Sequence, residues 1–218
     1  MSATSDPERF FTDRHASYAR FIRIVRYPQG IRTFFLRSSL LRSDLRILDA
    51  GCGTGVIMLA LYDALVRRQL TPTILHAFDL TATMLNRFHD ALDKRGIEIV
   101  QTRQADVLDM KSLPATWTRY DLIVSASMLE YVPRPRLWEA LASLRQRLSE
   151  DGHLVVFITR RNWLTRPMIG RWWQSNLYEK EELIEAFRRA GFSQATFSAF
   201  PLAARHLAAW GYVIEART

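Results

Sequence analysis

Apolar residues follow two rhythms along most of this chain, and the rhythms alternate. LRILDA (45–50), TILHAFDL (73–80), IEIVQTRQAD (97–106), YDLIVSAS (120–127) and HLVVFITR (153–160) are short apolar runs of strand length. Between them, VIMLALYDALVRR (56–68), TATMLNRFHDALDKRG (81–96), RLWEALASLRQRLSEDG (136–152) and YEKEELIEAFRRAG (178–191) have the apolar spacing of helices. Gly152 and Gly191 stand where the last two helices are expected to stop. FSQATFSAF (192–200) and HLAAWGYVIEAR (206–217) read as two more strands, with PLAAR between them as a turn or irregular loop. Strands alternating with helices predict a parallel sheet covered on both faces. The last two strands have no helix between them, so they are expected to pair antiparallel at one edge.

The first 42 residues break this alternation. Tyr18, Phe21, Ile22 and Val25 share one helical face, while Arg20, Arg23 and Arg26 recur at spacing three on another. Pro28 and Gly30 are expected to break that helix, and IRTFFLRSSLL (31–41) to begin the next. The pattern predicts a helical cap over 1–42 attached to an α/β domain over 43–218.

Composition narrows the class. The chain has 218 residues, 48% of them hydrophobic, which suits one domain with a substantial core. No apolar run approaches the roughly 20 residues of a membrane span. The start, MSATSDPERFF, lacks the basic-then-apolar pattern of a secretory signal. The single cysteine, Cys52, excludes an internal disulfide, so a cytoplasmic protein is expected. The net charge of +8 is uneven. Residues 1–46 hold nine arginines against four acids, residues 160–218 nine basic residues against five, and the middle 12 against 13. The basic excess lies outside the glycine-rich centre and is compatible with acidic substrates, nucleic acid, an anionic membrane or plain solvation.

The stretch LDAGCGTG (48–55) carries the candidate chemistry. Gly51, Gly53 and Gly55 lie between the first strand and its helix, where a backbone without Cβ atoms can approach a ligand. A dinucleotide fingerprint would need glycine at position 56, which is Val56. Asp49 would also repel a pyrophosphate, whereas it suits a ligand with positive charge near the turn. S-adenosylmethionine, with a sulfonium, an α-ammonium and no phosphate, meets that requirement. Asp79 ends the second strand, where a carboxylate can accept from both ribose hydroxyls. Asp106 ends the third, where a carboxylate can accept from an adenine amino group.

With AFDLT, QADVLD, YDLIVSASMLEYVP and LSEDGHLVVFIT in the same order and spacing, the chain resembles the class I S-adenosylmethionine-dependent methyltransferases over about residues 45–217. The motifs look like those of the branch that methylates small molecules, quinones or lipids. The resemblance implies a Rossmann-like, doubly wound seven-stranded sheet, mostly parallel, with the last strand inserted antiparallel beside the sixth. It implies that Asp49, Gly51 and Gly53 line the methionine part, with Cys52 supplying only backbone. Asp79 would hold the ribose, Leu80 and Met84 would flank the adenine, Asp106 and Val107 would meet its edge, and Ser125 would lie near the methionine ammonium.

Methyl transfer from a sulfonium is an in-line displacement, so the protein mainly supplies alignment. An oxygen, thiol or carbon acceptor also needs a base. No motif marks one. Glu130, Tyr131 and His206 are candidates, and His15 is a weaker one. Arg160 and Asn162, after the fifth strand, are candidates for either the base or substrate contacts. The insertion 160–176 is expected to cover the substrate, with Trp163, Trp172, Trp173 and the cap residue Tyr18 lining its pocket. Absences count too. No Asp/Asn-Pro-Pro-aromatic sequence follows the fourth strand, no Pro-Cys pair exists, and the only lysines are Lys94, Lys111 and Lys180. These argue against amino-group methylation of adenine or glutamine, cytosine C5 attack and a ribose-methylase lysine set. The expected protein is a methyltransferase for a small-molecule or lipid-like acceptor, with no metal and at most weak membrane contact. An RNA methyltransferase and a catalytically inactive cofactor-binding regulator are the alternatives.

Overall fold

The computed structural model describes residues 22–162, 165 and 175–218. Tyr18, Trp163, Trp172, Trp173 and His15 lie outside the described residues. The elements in order are α1 (Tyr27–Arg37), β1 (Arg46–Ala50), α2 (Val56–Arg67), β2 (Ile74–Asp79), α3 (Ala82–Asp93), β3 (Val100–Gln104), β4 (Tyr120–Ala126), α4 (Leu137–Arg145), β5 (Leu148–Thr159), α5 (Lys180–Arg189), β6 (Gln194–Ser198) and β7 (Gly211–Arg217). One seven-stranded sheet runs in the order β3-β2-β1-β4-β5-β7-β6. The first five of these strands are parallel, and β7 is antiparallel to both β5 and β6. This is the expected Rossmann-like doubly wound sheet. Strand order reverses between β1 and β4, which opens a crevice at their carboxyl ends.

Alternation along the strands sorts the core onto two faces. Leu48, Phe78, Ile123 and Leu154 face α4 and α5, with Leu141, Leu144 and Phe187 among their buried neighbours. Ile47, Leu75, Val124 and Phe157 face the other side, where Met58 and Leu61 of α2 and Phe88 of α3 pack. Ile31, Phe34 and Phe35 of α1 belong to that same cluster, and the Phe34 ring meets Phe157 edge-on at 5.3 Å. The described part of the N-terminal segment therefore shares its core with the sheet.

Three boundaries differ from the sequence expectation. The helix expected over 136–152 stops at Arg145, and residues 148–152 already belong to β5. The register between β4 and β5 shifts between Tyr120 and Leu122, and Gly152 sits at this irregularity. A Cβ there would lie 2.8 Å from the Tyr120 carbonyl oxygen and 2.9 Å from the Leu148 Cβ, so close backbone approach, not helix termination, requires glycine. The expected break between two helices falls at Val25 and Arg26, after the helical residues 22–24, and Pro28 and Gly30 both lie inside α1. Pro28 occupies the first turn, where a missing N–H costs nothing. Gly30 lets the Leu207 segment come close, since a Cβ there would be 2.2 Å from Leu207 Cδ1. Finally, 206–210 is not strand: Leu202–Ala209 form a 3-10 helix that buries Ala204 and Leu207.

Candidate functional site

The glycine turn leaves β1 with Gly51, Gly53 and Gly55 all in the left-handed region, at φ 71°, 53° and 80°. The amides of Gly51 and Cys52 both donate to the Phe78 carbonyl oxygen at 2.9 Å, which ties the turn to the end of β2. The three glycines have different surroundings. A Cβ on Gly51 would lie 2.2 Å from Met128 Cγ, and one on Gly55 would lie 2.0 Å from the Phe88 ring. A Cβ on Gly53 would meet nothing within 4 Å. Two glycines are thus required by packing, and the third borders open space.

Asp79 stands beside that space. One carboxylate oxygen accepts from the Gly53 amide at 2.8 Å and the other from the Thr81 amide at 2.9 Å. Burial pushes its pKa up, against those N–H donors. Asp49 is fully buried. Its Oδ2 accepts from the Met58 amide at 3.1 Å, in the first turn of α2, and its Oδ1 has no hydrogen-bond partner among the described residues. Removal from water pushes its carboxyl up to about 8, and the neighbouring charge of Asp79 adds to the effect. An orphaned acid beside an open glycine fits a ligand that brings positive charge.

The other expected cofactor residues are placed as follows. The Ala105 amide donates to the Asp79 carbonyl oxygen at 3.0 Å, which sets Asp106 next to the end of β2. One Asp106 carboxylate oxygen accepts from the Leu108 amide at 2.8 Å, and Val107 is buried. Leu80 is 43% exposed, whereas Met84 is buried, so of this pair Leu80 offers apolar surface. Ser125 pairs with Ala50 across the sheet and donates its hydroxyl to the Ala50 carbonyl oxygen at 3.0 Å. The Cys52 amide and carbonyl are both bonded inside the protein, and burial pushes its thiol well up, so it is not a nucleophile at neutral pH.

A second concavity adjoins the first. The loop after β4 connects them: Met128 fills the space over Gly51, while Ser127, Glu130 and Tyr131 border a small pocket of about 60 Å³ that opens to solvent. Its other walls are Ile22, Val25 and Tyr27 before and in α1, Phe157 to Thr159 on β5, and Phe200, Leu207 and Trp210 to Tyr212 around the 3-10 helix. Glu130 is buried, its Oε1 accepts from the Thr159 amide at 2.7 Å, and burial raises its carboxyl to about 7.

Three sequence candidates serve elsewhere. The His206 ring Nε2 lies 2.8 Å from the Val25 carbonyl oxygen, so it ties the 3-10 helix to the N-terminal segment. Arg160 donates to the Ala208 carbonyl oxygen at 3.0 Å and lies over the Tyr212 ring. The Asn162 amide group donates to the Ala209 carbonyl oxygen at 2.8 Å. Arg160 and Asn162 hold the end of the 3-10 helix, and His206 joins that helix to Val25. The residues missed from sequence are Tyr27, Phe157, Phe200, Trp210 and Tyr212, which are far apart in the chain; only their aromatic character marked them. His76 was also missed. It stacks on Trp117 at 4.0 Å, lies 2.7 Å from the Tyr120 hydroxyl, and burial lowers its pKa to about 4, all features of a structural residue. Among the described residues no group of three or more His, Cys, Asp or Glu side chains is placed to hold a metal ion.

Compared with known proteins, residues 47–152 match a family model described as a methyltransferase domain. A curated relative from Anoxybacillus flavithermus, a malonyl-(acyl-carrier protein) O-methyltransferase, is 25% identical over 150 residues, covering 68% of this chain and 50% of the relative. The chain spans half or less of the length of the curated relatives it matches. Among solved structures, an O-methyltransferase family protein from Burkholderia thailandensis superimposes with a TM-score of 0.72 at 15% identity, over 96% of this chain and 62% of that one. A chain from the complex of the Haloferax volcanii Trm112 methyltransferase activator with a methyltransferase gives a TM-score of 0.71 at 15% identity, over 97% of both chains.

Proposed function

We propose that the chain, which matches a methyltransferase-domain family model over residues 47–152, is a class I S-adenosylmethionine-dependent methyltransferase that methylates a small-molecule or lipid-like acceptor. The observation that carries the reading is the open space at Gly53, flanked by the Asp79 carboxylate and backed by the unpartnered oxygen of Asp49. S-adenosylmethionine, when bound, supplies a methyl group already activated on a sulfonium. The residues that would hold it are Asp49 and the Gly51–Gly53 turn for the charged methionine part, Asp79 for the ribose, and Leu80 with Asp106 for the adenine. Asp49 supplies negative charge where water is absent, and a cationic partner there would favour its ionised form.

The neighbouring pocket supports the acceptor class. Its lining among the described residues is mostly aliphatic and aromatic, with one acid, Glu130, and no lysine or arginine, which suits an apolar body better than a phosphate backbone. The Ile22–Tyr27 segment and the 3-10 helix shield the pocket from water on two sides. Alignment in a dry site is the main service a protein can give to an in-line displacement. A cytoplasmic setting belongs to the same proposal, supported by a lone, buried, unpaired cysteine.

Incubation with S-adenosylmethionine and a panel of metabolites and lipids, monitored by S-adenosylhomocysteine release, tests the activity. Acceptor-dependent release is expected from the wild type and should drop at least tenfold in Asp79→Ala. A wild type that binds the cofactor and turns over no member of a broad panel would favour the regulatory alternative.

A further inference from the structure

The apolar pocket holds one acid, and methyl transfer as read above leaves its role open. Glu130 is the only carboxylate among the pocket's described lining residues. It is 2% exposed and held in place: the Thr159 amide donates to Oε1, and its own carbonyl oxygen accepts from the Asn176 amide at 2.8 Å. It sits on the same loop as Ser127 and Met128, with Met128 packed against the Gly51 turn. A buried carboxyl is therefore fixed on the segment that joins the two concavities.

We propose that Glu130 takes the proton from the group that is methylated, and that the pocket accepts an apolar molecule reacting through a hydroxyl or an amine, not through a carboxylate. The inference rests on the methyl-transfer reading. A lone pair on the acceptor oxygen or nitrogen forms the new bond to the methyl carbon. The S–C bond breaks with its electron pair left on sulfur. The acceptor's O–H or N–H bond breaks with its pair kept by the acceptor atom, and the proton goes to a carboxylate oxygen of Glu130. A carboxylate acceptor carries no such proton at neutral pH, and it would bring a second negative charge against Glu130 in a dry site.

The surroundings support a base poised near neutrality. Burial is the main cause raising Glu130 to about 7, opposed by hydrogen bonds from Thr159. Other titratable or charged groups on the adjoining elements are Tyr131, Tyr178, Arg134, Glu182 and Arg160. Arg134 is paired with Glu182 and lies 4.7 Å from the Tyr178 ring centroid, and Arg160 lies over Tyr212. The Tyr178 hydroxyl is buried with no hydrogen-bond partner among the described residues, and burial pushes it up to about 12, so it stays neutral beside Glu130.

The test uses the full chain saturated with S-adenosylhomocysteine, and calorimetry with 1-decanol, decylamine and decanoate as probes at pH 6 and pH 8. In the wild type at pH 8, decanol and decylamine should bind at least tenfold more tightly than decanoate. The gap should narrow at pH 6, where Glu130 is protonated. Glu130→Gln, which preserves an acceptor for the Thr159 amide, should remove the gap at both pH values and leave homocysteine-product affinity unchanged. Its turnover on any acceptor found should fall at least 100-fold, within the usual range for a lost general base. Decanoate binding as tightly as decanol in the wild type at pH 8 overturns the proposal while leaving the methyl-transfer reading intact, as does failure of all three probes to bind. A folded wild type that does not bind S-adenosylhomocysteine overturns both.

Discussion

Asp49 and Glu130 are both carboxyls withdrawn from water, and their pKa values rise for the same reason. They differ in what is left unpaired. Asp49 keeps a bare oxygen beside the glycine turn, so its charge awaits a partner that the protein does not provide. Its folded pKa of about 8 lies above the ordinary 3.8. The unfolded chain therefore ionises first, and Asp49 costs the apo fold stability as pH rises from about 4 towards 8. Glu130, raised to about 7, acts with the same sign. Asp49→Asn should thus raise the melting temperature of the apo protein at pH 8 and leave it nearly unchanged at pH 4, while removing cofactor binding. Wild-type affinity for S-adenosylmethionine should rise with pH below about 8, by at most tenfold per unit for one proton released. Calorimetry across pH 6–9 checks this; a flat profile would mean Asp49 is already ionised in the free protein. Gly53 offers a second residue-scale test. Gly53→Val puts a side chain into open space, so the fold should survive, weakened by the roughly 1–2 kcal/mol of a left-handed β-branched residue, while cofactor binding is lost. Circular dichroism and calorimetry on the same sample separate the two effects.

Among the elements, those that carry the proposed cofactor residues were legible and those that line the apolar pocket were not. Asp49, Asp79 and Asp106 each follow or end an apolar run, and strand ends are where a parallel sheet binds ligands, so sequence position alone predicted their place at the strand ends. The end of α4 was obscured because SEDG reads as a polar, glycine-terminated helix stop, whereas the register shift against Tyr120 draws those residues into β5. The 3-10 helix Leu202–Ala209 was obscured because its apolar residues pack sideways onto Gly30 of α1, a contact no local pattern announces. With that helix misplaced, the pocket could not be assembled, and His206 appeared available when it is bonded to Val25. The revised role of Gly152 is testable. Gly152→Ala forces a Cβ onto the Tyr120 carbonyl and should destabilise the protein by about 1–3 kcal/mol, the usual overpacking range, read as a lower denaturant midpoint at unchanged slope. A cost below about 0.5 kcal/mol would restore the helix-stop reading.

For the whole molecule, the proposed function would divide two tasks across the sheet: the proposed cofactor residues lie at the ends of β1, β2 and β3, and the apolar pocket lies around β5 and β7, with the Ser127–Tyr131 loop between them. The surface around the pocket is basic and partly apolar. Ile24 is 70% exposed and Leu202 79%, on the two segments that wall the pocket, with Arg23 and Arg26 beside Ile24 in the chain. Among the described residues no helix is long and apolar enough to cross a membrane. Near an anionic surface each arginine can add about 1 kcal/mol, and salt screens it within about 10 Å at 0.1 M. Sedimentation with anionic vesicles should therefore show weak binding at low salt that disappears at about 0.5 M salt, where the screening length has fallen to roughly 4 Å; binding that persists would point to apolar insertion and a lipid acceptor.

The central claim is that the turn at Gly53 and the carboxylate of Asp79 receive S-adenosylmethionine. Calorimetric titration of the full chain with S-adenosylhomocysteine tests it most directly, because it needs no knowledge of the acceptor. One site per chain is expected, weakened by about 1.5–3 kcal/mol in a folded Asp79→Ala variant, the range for hydrogen bonds to a charged group. No heat of binding to the folded wild type, or equal affinity in the variant, would contradict the account.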